Sequence, residues 1–269
     1  MGRSAAPFVL AIGGFDPSCG AGVGADLRTL DSYRVAPLAV VTALTVQAGL
    51  GVKRVHATSA AVVDAQLLEL LAHFKIDAVK IGQVPSAVTA RVLRGRLLQL
   101  GAPVVLDPVL RASGGGRLAS KPAEAAIARF LVPAATLLTV NLDEARALTG
   151  RRVTSIGDMH VAAQALSARG ASAVLVKGGH LGGDPVDVLW HRGRVREFRA
   201  KRLAGSMHGT GCALASAAAA MLARSATIEE AVVEARAHVR RLLRAALVVG
   251  KVRLRSPVHA PASGTTVRK

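Results

Sequence analysis

The amino-acid sequence predicts a three-layer α/β/α fold around a mainly parallel central sheet. Short apolar runs alternate with amphipathic stretches along most of the 269 residues, the pattern of strands joined by crossover helices. Several runs stop at a glycine or a polar residue, as buried strands do where they reach a loop. Hydrophobic residues make up 51% of the chain and aromatics only 3%, so Ala, Val and Leu must fill a sizeable core.

Residues 8–12, Phe-Val-Leu-Ala-Ile, form the first apolar run and are ended by Gly13-Gly14; residues 16–22 form a polar, glycine-rich loop. Val23, Leu27 and Leu30 then recur at i, i+4 and i+7, which lays one helix face on the sheet up to Tyr33. Residues 38–44 are a second β-rich run. Residues 56–74 are predicted as helix, with Val62, Val63, Leu67, Leu68, Leu70 and Leu71 facing inward. A strand at 78–82, an arginine-bearing helix at 88–100 and a strand at 104–106 follow, the last running into Asp107-Pro108. After a loop at 111–117, a helix at 122–130 leads to a strand at 136–140 that ends in Asn141. Helices at 143–148 and 159–168 precede a strand at 173–176 ending in Lys177-Gly178-Gly179. Two runs, 186–191 and 195–200, flank Arg192-Gly193 and predict a hairpin at the sheet edge. A helical pair beginning at Gly211 and Ile228 closes the fold, the second helix reaching residue 249. No composition shift marks a linker, so residues 1–255 read as one domain. The basic tail 256–269 lacks apolar periodicity and is expected to be disordered.

Lys and Arg number 35 against 17 Asp and Glu, a net charge of +18. Such a field suits a nucleic acid or an anionic small molecule such as ATP. The arginines are scattered and stacking aromatics are nearly absent, which argues against a nucleic-acid partner. No apolar run approaches the roughly 20 residues that span a bilayer, so no membrane partner is expected. Two cysteines make no disulfide framework, and a reducing, cytoplasmic setting is expected.

The stretch from Met207 to Ala217, Met-His-Gly-Thr-Gly-Cys-Ala-Leu-Ala-Ser-Ala, is the most informative in the chain. Its alanine-rich end predicts a helix at 213–224. Gly209 and Gly211 stand just ahead of it, where free N–H groups and the helix dipole make an anion site. Cys212 falls in the first turn, where thiol pKa values are expected to drop below about 8.5. An anion cradle beside an activated thiol suggests phosphoryl transfer, with the thiolate accepting the proton of an acceptor hydroxyl. A tight turn with a buried structural cysteine is the other reading, and this stretch alone leaves both open.

In open α/β sheets ligands bind at the carboxyl ends of the strands. Asp16, Gln47, Lys80, Asp107, Asn141 and Lys177 all lie in, end or closely follow predicted strands. Each alone could be a cap or turn residue, Asp16 most readily. Together with the glycine loop they make one polar face.

These residues also carry a resemblance. The segments Gly14-Phe15-Asp16-Pro17-Ser18, Gly20-Ala21-Gly22, Ala25-Asp26-Leu27, Val41 to Thr45 with Gln47, Lys80-Ile81-Gly82, Asp107-Pro108-Val109, Asn141 with Glu144, Val176 to Gly179, and His208 to Cys212 occur in that order. The sequence resembles the hydroxymethylpyrimidine/phosphomethylpyrimidine kinases of thiamin synthesis, which have a ribokinase-like fold. The resemblance covers residues 9–249. It implies an ATP- and Mg²⁺-dependent kinase, commonly dimeric, that phosphorylates 4-amino-5-hydroxymethyl-2-methylpyrimidine and then its monophosphate. By that likeness Gly209, Thr210 and Gly211 form the anion hole and Cys212 is the general base. Asn141 and Glu144 help hold Mg²⁺ and the nucleotide phosphates, Asp107 lies near the metal, and Lys177 neutralises phosphate charge. Asp26 and Gln47 match contacts to the aminopyrimidine.

The chain departs from the family in its substrate half. Cys19 replaces a glycine, Gly24 a glutamine, Ala48-Gly49 an Asn-Thr pair, and Gln83 a methionine. Arg111 stands where a small or apolar residue is usual. Gln83 is therefore expected to hydrogen-bond to the substrate or to a neighbour such as Gln47, and Cys19 to face the same cavity as Cys212. Rival readings are a pyridoxal or pyridoxamine kinase of the same superfamily, a non-catalytic pyrimidine-binding protein and, last, a basic nucleic-acid-binding protein.

Overall fold

A nine-stranded sheet organises the chain, in the computed structural model, in the order β3-β2-β1-β4-β5-β6-β7-β8-β9. The strands are β1 (Phe8–Phe15), β2 (Ala36–Gln47), β3 (Val52–Ala57), β4 (Ile76–Ile81), β5 (Val104–Leu106), β6 (Leu137–Asn141), β7 (Ala173–Lys177), β8 (Val186–His191) and β9 (Arg194–Arg199). The structure describes residues 6–48, 51–112, 115–203, 207–249 and 252–254, so the basic tail 256–269 lies outside it. The six strands from β2 through β1, β4, β5 and β6 to β7 are parallel, while β3, β8 and β9 are added antiparallel at the edges. Val9 to Gly14 of β1 is buried throughout, which is why a central parallel strand reads as a continuous apolar run.

Helices cover both faces. Helix α1 (Gly22–Ser32) packs with α7 (Thr210–Ala223) and α8 (Ile228–Arg244) on one side, where Leu30, Ala215, Ala219, Ala231 and Ala235 meet Ala11, Val105 and Leu175 of the sheet. Residues 212–220 of α7 are all buried, and their small side chains let the helix sit between the sheet and α8. On the other face lie α2 (Ala60–His73), α3 (Ala87–Leu100), α4 (Lys121–Ala126), α5 (Leu142–Thr149) and α6 (Ile156–Ser167). Among the described residues no helix is long and apolar enough to cross a membrane.

Several local expectations need correction. Gly13-Gly14 do not end β1. They carry it on to Phe15, and the bare Gly14 leaves space for the Gln83 amide, whose Oε1 would stand 2.0 Å from a Cβ there. His56 and Ala57 belong to β3, an exposed edge strand with little apolar signal, and α2 starts only after Ser59, whose Oγ accepts from Val62 N at 3.3 Å. Within α2 the buried stripe is Val63 and Leu67. Leu70 and Leu71 are half-buried, and Val62 and Leu68 face solvent, because the helix touches the core along one narrow face. The helix predicted at 122–130 loosens after Ala126 into a π-helical turn, Ile127–Leu131, and a 3₁₀ turn holding Pro133. Helix α8 stops at Arg244, and β10 (Leu247–Val249) pairs antiparallel with β11 (Val252–Leu254), as β-branched residues favour.

Strand β1 lies between β2 on one side and β4 on the other, so the connections leave it in opposite directions. That reversal opens a crevice beyond the carboxyl ends of the parallel strands.

Candidate active site

A cleft of about 730 Å³, open mouth included, fills that crevice. Of the site residues expected from sequence, Gln47, Gln83, Asp107, Asn141, Glu144, Lys177, Gly209, Gly211 and Cys212 line it. They come from the ends of β2, β4, β5, β6 and β7 and from the start of α7, which the sheet order brings side by side. Thr210 and Asp26 do not line the cleft.

The glycine loop is shaped by contact with a second loop. Gly209 caps α7 with φ 80°, and a Cβ there would lie 1.9 Å from Gly20 O, so both conformation and space exclude other residues. Gly211 faces the opposite way, with the Asp107 carboxylate and Lys177 Nζ each 3.4 Å from where its Cβ would be. Its bare backbone thus leaves the start of α7 open beside a cation. Asp16 locks the two loops together. Its carboxylate accepts from Ser18 N at 2.9 Å and Ala21 N at 3.0 Å, and it meets His208 Nε2 at 2.9 Å. Burial works against the Asp16 carboxylate, yet His208 and Ser18 hold its pKa below the usual range, so it accepts and His208 Nε2–H donates. Asp16 is a turn former, as the sequence suggested, and also the link from the turn to the His208 loop. That link is invisible in sequence, since the partners are 192 residues apart.

On the β5–β7 side, Lys177 Nζ donates to Asp107 Oδ1 at 2.8 Å, and Thr139 Oγ1 donates to the same oxygen at 3.1 Å. Burial opposes the Lys177 charge, but Asp107 and Glu144 raise its pKa above the ordinary value. Asn141 and Glu144 form a capping box at the start of α5: Glu144 N donates to Asn141 Oδ1 at 2.8 Å and Asn141 N to Glu144 Oε2 at 2.9 Å. The Asn-x-x-Glu pattern therefore has a structural role while both residues still line the cleft. Burial pushes the Glu144 carboxyl up to about 7, with Lys177 pulling the other way.

Below the cleft floor Lys80 and Asp26 form a fully buried pair, Nζ to Oδ2 2.7 Å, and Ser216 Oγ donates to Asp26 Oδ1 at 2.8 Å. Asp26 is therefore a support beneath Lys80, and Lys80 is the group that reaches the cleft. Burial raises the Asp26 pKa and works equally against the ammonium. We take the pair as ionic, because the Asp26 and Asp107 carboxylates both act on Lys80 and raise its pKa.

The expected activation of Cys212 is not found. Burial pushes its thiol up to about 11, outweighing Lys80 and the Gly22 N–H, which favour the thiolate. The start of a helix favours the thiolate, but Cys212 is buried and the loss of solvation outweighs that effect. Gln83 is buried as well, and its Nε2 donates to Leu118 O at 3.0 Å, so its partner is a loop carbonyl and not Gln47.

Comparison with known proteins finds relatives over most of the chain. The model of the phosphomethylpyrimidine kinase family matches residues 16–259. A hydroxymethylpyrimidine/phosphomethylpyrimidine kinase from Rhizobium meliloti is 38% identical over 93% of this chain and 95% of its own length. The crystal structure of phosphomethylpyrimidine kinase from Clostridium difficile 630 superposes with a TM-score of 0.78 at 30% identity, covering 87% of this chain and 98% of that one. A pyridoxal kinase from Staphylococcus aureus in complex with AMP-PCP and pyridoxal reaches 0.86 at 28% identity, covering 94% of each chain.

Cys19 and Gly24, two departures in the sequence, form one packing unit. Cys19 does not face the cleft. It adopts φ 51° and turns its Sγ onto α1, 2.8 Å from where a Gly24 Cβ would be. The larger residue in the loop fits because the helix offers a hole. Gly24→Ala should therefore destabilise the protein, by about 1–3 kcal/mol, although alanine is ordinarily the better helix former. In a Cys19→Gly background the same change should cost little. Thermal or denaturant unfolding of the four-member cycle measures the coupling, and additive effects would show that the two positions do not interact.

Proposed function

Because the chain belongs to the phosphomethylpyrimidine kinase family, we propose that it transfers the γ-phosphoryl group of ATP to the hydroxymethyl group of an aminopyrimidine, and then to the monophosphate so formed. One observation carries this reading. A bare-backbone helix start, a half-buried lysine held by a carboxylate and a buried cysteine meet in one cleft. Phosphoryl transfer needs positioning and charge neutralisation more than covalent chemistry, and this arrangement supplies both. The N–H groups at Gly209, Thr210 and Gly211 would face the transferring phosphoryl oxygens, with Lys177 beside them. Thr210 would act through its backbone, its side chain lying outside the cleft lining.

Asp107 and Glu144 both line the cleft, and no group of three or more His, Cys, Asp or Glu among the described residues could hold a metal alone. Two carboxylates suit Mg²⁺, which keeps waters and shares phosphate oxygens with its nucleotide. When bound it would neutralise phosphate charge. Gln47 and Gln83 are the amides available to the pyrimidine, and Lys80 gives the floor its charge. A homodimer and a cytoplasmic location fit the family and belong to the same proposal.

In the first transfer the hydroxyl oxygen attacks phosphorus, ADP leaves, and Cys212 Sγ receives the hydroxyl proton. A thiol held near 11 is almost wholly protonated at pH 7, so it accepts a proton only as its thiolate fraction grows with pH. Assay of hydroxymethylpyrimidine, its monophosphate and pyridoxal side by side tests the reading. Preferential turnover of pyridoxal would replace it with the pyridoxal-kinase alternative that the S. aureus likeness favours.

Cys212→Ala should lower kcat for the alcohol by roughly 10²–10⁴-fold with a smaller effect on KM. The loss should be smaller for the monophosphate, whose ionised oxygen has no proton to give up. Wild-type kcat for the alcohol should rise with pH above 7, and the variant should lack that rise. An unchanged kcat in a folded variant refutes the role.

Glu144 generates a second expectation. With its carboxyl at about 7, protonation competes with cation binding below that pH. Calorimetric affinity for MgATP should fall as pH drops from 8 to 6. Glu144→Gln, which keeps the capping box, should bind more weakly and lose this dependence. A pH-dependent variant would place the titrating group elsewhere.

A further inference from the structure

The charged groups that line the cleft are Asp16, Lys80, Asp107, Arg111, Glu144, Lys177 and His208. Three of the four basic ones are committed: His208 to Asp16, Lys80 to Asp26 and Lys177 to Asp107, at 2.9, 2.7 and 2.8 Å. Arg111 has no carboxylate partner among the described residues. Its neighbour across the loop, Arg117, takes Glu124 at 3.4 Å, and an antiparallel bridge joins Arg111 to Arg117. Arg111 is thus a guanidinium at the cleft wall with its charge uncompensated.

Where that charge points in the fold follows from how its loop is tied. Leu118 N and Ala119 N donate to Leu110 O at 3.0 and 3.4 Å, which closes the loop at its base. Gln83, just after β4, grips Leu118 O, and Val52 N at the start of β3 donates to Gly115 O at 3.3 Å. The loop that leaves β5 therefore leans back toward β4 and β3. Asn141, Glu144 and Lys177 stand on β6, α5 and β7, on the other side of β5. Arg111 belongs to the half of the cleft opposite the phosphate-handling lysine.

We propose that Arg111 recognises the phosphate of the monophosphate substrate and so sets the enzyme's preference between its two transfers. This rests on the functional reading above. The two acceptors differ in one respect that a free cation can read: the first is an uncharged alcohol, the second carries a phosphate of about −1.5 to −2 at pH 7. Guanidinium binds phosphate through two parallel N–H···O bonds, which a lysine cannot reproduce. In the second transfer a phosphate oxygen of the acceptor forms the new P–O bond as the β–γ P–O bond of ATP breaks and ADP leaves. No proton has to be removed, so what the site must supply is a counter-charge that holds two anions together. The anchoring of the loop by Gln83 holds the backbone that carries that counter-charge.

The test compares wild type, Arg111→Leu and Arg111→Lys with both acceptors, and titrates the monophosphate calorimetrically without nucleotide. The ratio of kcat/KM for the alcohol to that for the monophosphate should rise 10- to 100-fold in Arg111→Leu and less in Arg111→Lys. KM for ATP should not follow, and calorimetric affinity for the monophosphate should fall by the same factor. Raising the salt should weaken monophosphate binding to wild type more than to the leucine variant. An unchanged ratio, or a KM for ATP that rises equally with both acceptors, overturns the assignment and in the second case gives Arg111 to the nucleotide. A wild type that phosphorylates neither pyrimidine defeats the functional reading itself, and the inference falls with it.

Discussion

A buried lysine at the end of β4 sets the terms for everything above it. Lys80 is completely removed from solvent and so is Asp26, its partner on α1. Such a pair is costly to desolvate and survives only with close geometry and further hydrogen bonds, which the 2.7 Å contact and Ser216 of α7 provide. The sequence makes room for it: a Cβ on Gly82 would come within 2.8 Å of Lys80 Nζ. Three elements from distant parts of the chain are thereby registered, α1, β4 and α7. The last of these begins at the glycine loop and carries Cys212 four residues before Ser216.

That registration explains why the cleft combines strong fields with a quiet thiol. Lys80 favours the Cys212 thiolate, but the burial that makes the Lys80–Asp26 pair possible also surrounds the sulfur and wins. A site built this way holds its thiol protonated at pH 7. It also keeps most of its cations neutralised by their own carboxylates, so a chain of net charge +18 presents a cleft whose free charge is narrowly placed. The start of α7 at Gly209 to Gly211 opens into that cleft, and among its described basic residues Arg111 alone has no carboxylate partner, while Lys177 is held by Asp107.

The central strands and their polar ends were legible because burial on both faces forces continuous apolar runs, as in Val104-Val105-Leu106 before Asp107 and Ala173 to Val176 before Lys177. The edge was less so. Strand β3, Val-Lys-Arg-Val-His-Ala, is exposed along most of its length and is held by pairing with β2, a non-local interaction that leaves no periodic trace. The gathering of Gly209, Gly211, Asn141 and Lys177 around one cleft could be read, because their types follow from local backbone chemistry at element ends. Tertiary pairing hid the rest. Nothing in the residues around Asp26 says that a helix face would be fully buried against Lys80 and not turned to a ligand, and nothing around Cys19 says that Gly24 would receive its side chain.

The two glycine-rich loops show why local reading and tertiary constraint meet at this cleft. Gly209 is held against Gly20 O at a spacing no side chain tolerates, and Asp16 fastens His208 to the same loop. The loop that opens α1 and the loop that opens α7 therefore cannot move independently. Asp26 on α1 and Ser216 on α7 repeat the coupling underneath, through the buried lysine. The glycine loop is thus braced from above by one carboxylate and from below by another. A braced cleft wall follows from the pairing of two short-range turns, and the loop that carries Arg111, tied through Gln83 to the end of β4, joins the same frame from the opposite wall.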